Sequence, residues 1–186
     1  MLSLDAIGAV GAKELYAHLR RDFAAGEYAP EFAIRSCLKK GVIKAFYLIE
    51  DHSVLGYAAI NPNDELGFKM ICYMAIVPDR RGKGYGSKLV SMIDDVFPQL
   101  DSIVEVEDPS LAKDEHEAIE RSKRIAFYER NGFRALSARY RIFGVEMILM
   151  RSGTKAIDDI KALMHGLYRK QLVFTQALRH VKVENP

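Results

Sequence analysis

The sequence predicts an α/β fold, a single domain in which helices flank a mixed sheet. Three observations lead there. Apolar residues switch several times between helical spacing and strand alternation. The resulting order, ααβββαβαββα, interleaves the two element types instead of segregating them. The 186 residues are 49% hydrophobic and 28% charged, enough for one domain with a substantial core and no disordered bias. No internal repeat, low-complexity tract or Pro/Gly/Ser linker divides the chain. Its core is expected over about residues 12–151, with a helical extension over about 154–182.

Taken in order, Ala12 to Ala24 reads as a helix, with Leu15, Leu19 and Phe23 at four-residue spacing. Gly26 and Pro30 punctuate, and a second helix runs from Pro30 to Lys40, ending at Gly41. Two apolar, aromatic runs follow, Val42 to Glu50 and Val54 to Ile60, joined by the polar turn Asp51-His52-Ser53. Asn61-Pro62-Asn63-Asp64 reads as a second turn, and Leu66 to Val77 as a third strand closed by Pro78. From Gly84 the period changes: Leu89, Val90, Ile93, Val96 and Phe97 recur at helical spacing until Pro98. Ser102 to Glu107 alternates, with Val104 and Val106 on one face and Glu105 and Glu107 on the other. A helix from Glu115 to Arg130 stops at Asn131-Gly132, a left-handed cap. Strands over Phe133 to Arg141 and Val145 to Met150 come next. Ile157, Ile160, Met164, Leu167, Phe174, Leu178 and Val181 then mark a long C-terminal helix.

Bulk properties exclude several functions. A net charge of +2 creates no overall field that demands nucleic acid or an anionic membrane. The N-terminus lacks a basic region followed by an apolar stretch, and the most apolar run, Met70 to Val77, is far below the ~20 residues of a membrane span. Cys37 and Cys72 lie far apart, and the five histidines show no metal-ligand spacing. Cys72 alternates with Met70 and Met74 and reads as core. A soluble, reduced, cytoplasmic protein is expected, with no membrane partner and no metal. The C-terminal helix carries six Lys/Arg against Asp158 and Asp159. No aromatic interleaving or recognition motif accompanies that charge, which argues against nucleic acid. Its apolar stripe is expected to pack on the domain or on a second subunit, which leaves a homodimer open.

The segment that carries chemistry runs Val77-Pro78-Asp79-Arg80-Arg81-Gly82-Lys83-Gly84-Tyr85-Gly86-Ser87, between a strand and a helix. Alternate glycines let the backbone turn tightly and aim several N–H groups at one point. Those donors sit at a helix N-terminus, where the macrodipole favours an anion, and Arg80, Arg81 and Lys83 add charge. A phosphate or pyrophosphate fits. A Walker A loop would need Lys-Ser/Thr after its last glycine, whereas Ser87-Lys88 has the reverse order. A dinucleotide fingerprint needs a G-x-G-x-x-G spacing early in a βαβ unit, which is absent.

Arg81-Gly82-Lys83-Gly84-Tyr85-Gly86 resembles motif A of the GNAT acetyltransferase superfamily, Arg/Gln-x-x-Gly-x-Gly/Ala. Ala126-Phe127-Tyr128-Glu129-Arg130-Asn131-Gly132-Phe133 resembles its motif B. The two are ordered and spaced as in that family, and the element order agrees from about Val42 to Met150. The resemblance implies a mostly antiparallel central sheet flanked by helices, to which the C-terminal helix is an addition. It further implies direct acetyl transfer from acetyl-CoA, as co-substrate, to an amine of a small molecule or peptide. In the family the pantetheine arm lies where strands four and five diverge. Ile76 and Val77 would pair with it, and Arg81, Gly82, Lys83, Gly84, Tyr85, Gly86 and Ser87 would hold the pyrophosphate. An N–H near Ile76 would polarise the thioester carbonyl. Tyr128 matches the tyrosine that protonates the leaving thiolate.

A general base must take a proton from the attacking amine. Glu105 and Glu107 are the candidates, because they share one strand face and mutual repulsion would raise one pKa. Asp108 and Glu146 are weaker alternatives, and some family members use water alone. Arg121, Lys123 and Arg124 read as a solvated basic face. Two other classes of function stay open: a non-catalytic acyl-CoA sensor, and an interaction protein that uses the basic C-terminal helix.

Overall fold

A computed structural model of the chain describes residues 1–142, 144–171 and 181–184. They form a mixed α/β fold with a mostly antiparallel sheet flanked by helices, as expected. The chain divides into two compact units, Met1–Pro62 with Ile71–Pro98, and Asn63–Met70 with residues from Gln99 onward.

The first unit holds β1 (Leu2–Ile7), α1 (Ala12–Asp22), α2 (Glu31–Lys39), β2 (Lys44–Glu50), all but the last residue of β3 (Ser53–Asn63), the part of β4 (Phe68–Ile76) from Ile71 onward, and α3 (Tyr85–Val96). Its strands run in the order β1-β2-β3-β4. β1 was not expected: Leu2, Leu4 and Ala6 alternate with polar residues over only six positions, too few to register as a period. It pairs antiparallel with β2, from Leu2 opposite Glu50 to Ile7 opposite Ala45. The β2–β3 hairpin turns tightly at Asp51 and His52, both at positive φ (48° and 65°), and Ser53 already belongs to β3 opposite Glu50.

Leu15 and Leu19 of α1 are wholly buried and pack with Ile34, Cys37, Ala45, Tyr57 and Ala59. That burial of a four-residue stripe is what holds a helix of only 11 residues in place. Phe23 lies just past the helix in extended conformation. His18 packs between Tyr47 and Tyr57, with ring centroids at 5.6 and 5.5 Å, and burial lowers its pKa.

In the second unit are β5 (Asp101–Glu107), α4 (Glu115–Arg130), β6 (Arg134–Ala135), β7 (Arg139–Ile142), β8 (Val145–Arg151), α5 (Ile160–Gln171) and β9 (Val181–Glu184). β5, β8, β7 and β9 are neighbours in that order, with β6 also on β8. The expected turn at Asn61–Asp64 falls later: β3 continues through Pro62 to Asn63, and Gly67, at φ +72°, makes the bend. Its amide donates to the carbonyl of Asn63 at 2.9 Å. The expected strand over Phe133 to Arg141 is two pieces, β6 and β7.

The C-terminal helix is shorter than expected. It starts where Asp159 Oδ1 accepts the amide of Ala162 at 2.9 Å, so Ile157 precedes it, and it runs to Gln171. Phe174 and Leu178 lie outside the described residues. Val181 is not helical; it opens β9 opposite Ile142 of β7. Val-Lys-Val alternates with two β-branched residues, which suits a strand more than a helix. Leu163, Met164, Leu167 and Tyr168 of α5 are buried within this unit. Gly166 sits so close to Leu66 that a Cβ there would fall 2.8 Å from its Cδ1.

Candidate active site

The loop after β4 has the backbone an anion cradle requires. A single 3-10 turn over Pro78–Arg80 leads to Gly82 at φ +73° and Gly84 at φ +81°. Nothing lies within 4 Å of a Cβ built on either, so conformation and not space demands glycine there. Gly84 is the N-cap of α3. Tyr85, Gly86 and Ser87 form the first turn, where amides have no carbonyl partner inside the helix and point out of its positive end. The first return bond is Lys88 N–H to Gly84 O, at 3.1 Å.

The cationic side chains of the loop are fastened from behind. Arg81 Nε donates to Ile76 O at 2.9 Å, and its guanidinium stands 3.5 Å from Asp22. Asp22 ends α1, is 2% exposed, and also accepts from Arg21 (2.6 Å) and from the Tyr57 hydroxyl (3.0 Å). Burial alone would raise its pKa, but those hydrogen bonds, with Arg81 behind them, bring it below the usual carboxylate range. Lys83 Nζ donates to Asp79 O at 3.1 Å, and the Tyr85 hydroxyl to Glu50 at 2.9 Å.

Ile76 and Val77 differ in what they can offer. Val77 N–H donates to Leu55 O and its carbonyl accepts from Arg80, both at 2.9 Å, so its backbone is committed internally. Neighbouring residues of a strand direct their amides to opposite sides. Ile76 therefore turns its N–H away from β3.

The acid and base candidates lie in the second unit. Tyr128 is near the end of α4, its ring edge-on to Phe127 and Phe133, each 5.1 Å away by centroids. Its carbonyl accepts the amide of Phe133 at 3.0 Å around Gly132 at φ +82°. Tyr, Asn-Gly and Phe are thus one capping device as well as one motif. Burial pushes the Tyr128 phenol up to about 12.

The two glutamates of β5 have separate fates. Glu107 is spanned by two arginines, Arg121 at 3.2 Å and Arg124 at 2.8 Å. Arg121 also holds Glu117 and the Asp108 carbonyl, so it is a nearly buried clasp and not part of a solvated basic face. Glu105 faces no cation among the described residues. Its Oε2 accepts from the Tyr168 hydroxyl of α5 at 2.6 Å. Its pKa is raised by desolvation, opposed by Tyr168 and Tyr140; Glu107 is not among the causes, so mutual repulsion is not the reason. Asp108 caps a turn by accepting from Ser110 N, and Glu146 pairs with Arg141 on the surface.

Residues 43–135 match the family model of the acetyltransferase (GNAT) domain. The chain belongs to the GNAT acetyltransferase family. Compared by sequence with curated proteins, it finds no significant match. By structure it is similar to a GNAT-family protein from Bacteroides thetaiotaomicron, with a TM-score of 0.74 at 21% identity, covering 89% of this chain and 96% of that one. It is also similar to the ribosomal-protein-S18-alanine N-acetyltransferase of Escherichia coli, at TM-score 0.61 and 19% identity, over 86% and 99% of the two chains. Mutant forms of the spermidine/spermine N-acetyltransferase SpeG of Vibrio cholerae give 0.58 at 14%, over 81% and 93%. At these identities the likeness shows the GNAT fold.

The leading sequence-predicted site residues, from Ile76 to Ser87 with Glu105, Glu107 and Tyr128, fall inside the GNAT match, and the weaker alternative Glu146 falls outside it. Asp22, Tyr140 and Tyr168 fall outside it and went unseen from sequence. Asp22 lies 59 positions from the arginine it holds, and Tyr168 lies 63 positions from Glu105. No local pattern announces such pairs.

Proposed function

We propose that this GNAT protein is an N-acetyltransferase that moves the acetyl group of acetyl-CoA directly to a primary amine of a small molecule or peptide. The observation that carries this reading is the loop at the N-terminus of α3. Two glycines at positive φ, a first turn with open amides and an arginine anchored behind them fit a pyrophosphate.

Acetyl-CoA, when bound, supplies a thioester carbonyl as electrophile. The amides of Gly82 to Ser87 hold the pyrophosphate, with Lys83 free to swing from its own loop carbonyl. Ile76 offers the outward amide for the carbonyl oxygen; Val77 supports the strand without offering a donor. Glu105 takes a proton from the attacking ammonium group, so that the C–N bond forms from the free lone pair. Tyr128 gives its phenolic proton to sulfur as the C–S bond breaks. Glu105 suits the base role better than Glu107 because desolvation raises its pKa, whereas Glu107 is clasped by two guanidinium groups.

A primary amine as acceptor agrees with the acceptors named for two structural relatives, spermidine and spermine for one and a ribosomal-protein alanine for the other. The test is thiol release from acetyl-CoA with polyamines and with peptides that begin in alanine, for wild type and Tyr128→Phe. Amine-dependent release that the variant loses is the expected result. Binding of acetyl-CoA without release for any amine would leave a sensor instead.

A further inference from the structure

The matched GNAT segment ends at residue 135, yet the carboxyl proposed as base is completed from beyond it. Tyr168 of α5 donates to Glu105 Oε2 at 2.6 Å. Tyr140 of β7 approaches the same carboxyl less well: its hydroxyl and Glu105 Oε1 are both buried without a regular hydrogen bond, although the contact still favours the carboxylate. We infer that the C-terminal helix is part of the catalytic apparatus, with Tyr168 as the positioning residue that fixes Glu105 for proton abstraction. This rests on Glu105 being the base.

Three features support that role. α5 is fixed in place by a buried stripe of Leu163, Met164 and Leu167 on the same face as Tyr168, so the hydroxyl is delivered from a rigid element. The donor has no need to be there for packing alone, since a phenylalanine would fill the same volume. And a buried carboxyl needs a donor to hold its position and its charge; Tyr168 supplies one to Oε2, while Oε1 is buried against Tyr140. The titratable groups acting on Glu105 are Tyr168 from α5 and Tyr140 from β7; on its own strand Glu107 is neutralised by Arg121 and Arg124 of α4, and on β8 it faces Leu149.

The test uses full-length protein labelled with glutamate carrying 13C at the carboxyl carbon, the Glu105 signal being the one missing from Glu105→Gln. A neutral hydroxyl donating to a carboxylate favours the charged form by roughly one pH unit. Tyr168→Phe should therefore raise the Glu105 midpoint by about that much, and move the acid limb of kcat/KM for amine-dependent thiol release upward with it. Tyr140→Phe should move both less. Wild type grown with 3-fluorotyrosine, whose phenols donate more strongly, should move the midpoint the other way, and that arm needs no substitution to fold. An unmoved midpoint in both arms overturns the inference while leaving the acetyltransferase reading intact. A midpoint that moves while the kinetic limb stays put overturns it too, since Glu105 would then not be the base. Full turnover in Glu105→Gln removes Glu105 from the Proposed function itself.

Discussion

The guanidinium of Arg81 stands 3.5 Å from Asp22, a carboxylate 2% exposed at the end of α1. A motif residue that could have been a free surface cation is instead tied to the core of its unit, with its Nε closing on Ile76 O. Substituting Asp22→Asn removes the charge from that knot. Arg81 and Arg21 are about half exposed, which screens the ion pairs, so the loss is expected at about 1–2 kcal/mol of stability. Because the folded pKa of Asp22 is depressed, its contribution is present above the unfolded value of about 3.9 and disappears as pH falls through the lower folded value. Melts of the two proteins should therefore differ at pH 7 and converge near pH 2–3. The dissociation constant for acetyl-CoA should rise several-fold.

Gly84 tests the cradle directly. At φ +81° an alanine costs about 1–2 kcal/mol from backbone strain, although no neighbour blocks its Cβ. Gly84→Ala is expected to melt lower and to lose much of its stabilisation by acetyl-CoA, whereas strain without a ligand role would lower the melt and leave the ligand-induced shift unchanged. Calorimetry with and without acetyl-CoA separates the two.

For Tyr128 the expectation concerns rate and pH together. Replacement by phenylalanine keeps the packing against Phe127 and Phe133 and removes the proton donor, so turnover should fall roughly 10²–10⁴-fold with acetyl-CoA binding retained. With the phenol near 12, Tyr128 stays protonated through pH 10. An alkaline limb near pH 8–9 would thus belong to another group, and should persist in any residual activity of the variant.

Glu105 and Glu107 should part company when each becomes glutamine. The folded pKa of Glu105 is raised, so its contribution to stability is fullest below the unfolded value of about 4.3 and is lost as pH rises through the folded value. Glu105→Gln should accordingly melt above wild type at pH 8, match it near pH 4, and be almost inactive. Glu107→Gln takes one carboxylate from Arg121, which keeps Glu117 and the Asp108 carbonyl, and from the more exposed Arg124; it should lose a little stability while keeping most of its turnover.

Much of this was legible from sequence where the signal is local. The loop announces itself because glycine, charge and a strand-to-helix junction fall within ten positions. The α4 cap announces itself because Asn131-Gly132 must leave helical φ. What escaped depends on pairs far apart in the chain. β1 is short and terminal. β9 follows a helical stripe whose period carries the eye past Gln171, and only pairing with β7 makes Val181 a strand residue. The two glutamates looked equivalent on one strand face, and only the third dimension gives one to arginines and the other to tyrosines.

The central claim is that the α3 loop binds acetyl-CoA, and thermal unfolding of wild type and Arg81→Ala with and without it is the most direct test. At ligand about 100 times the dissociation constant, native-state binding adds roughly 2.7 kcal/mol. For a chain of this size that raises the midpoint by roughly 5–11 °C. A shift of that order in wild type, largely lost in Arg81→Ala, is the predicted result; no shift in wild type at saturating acetyl-CoA would contradict it.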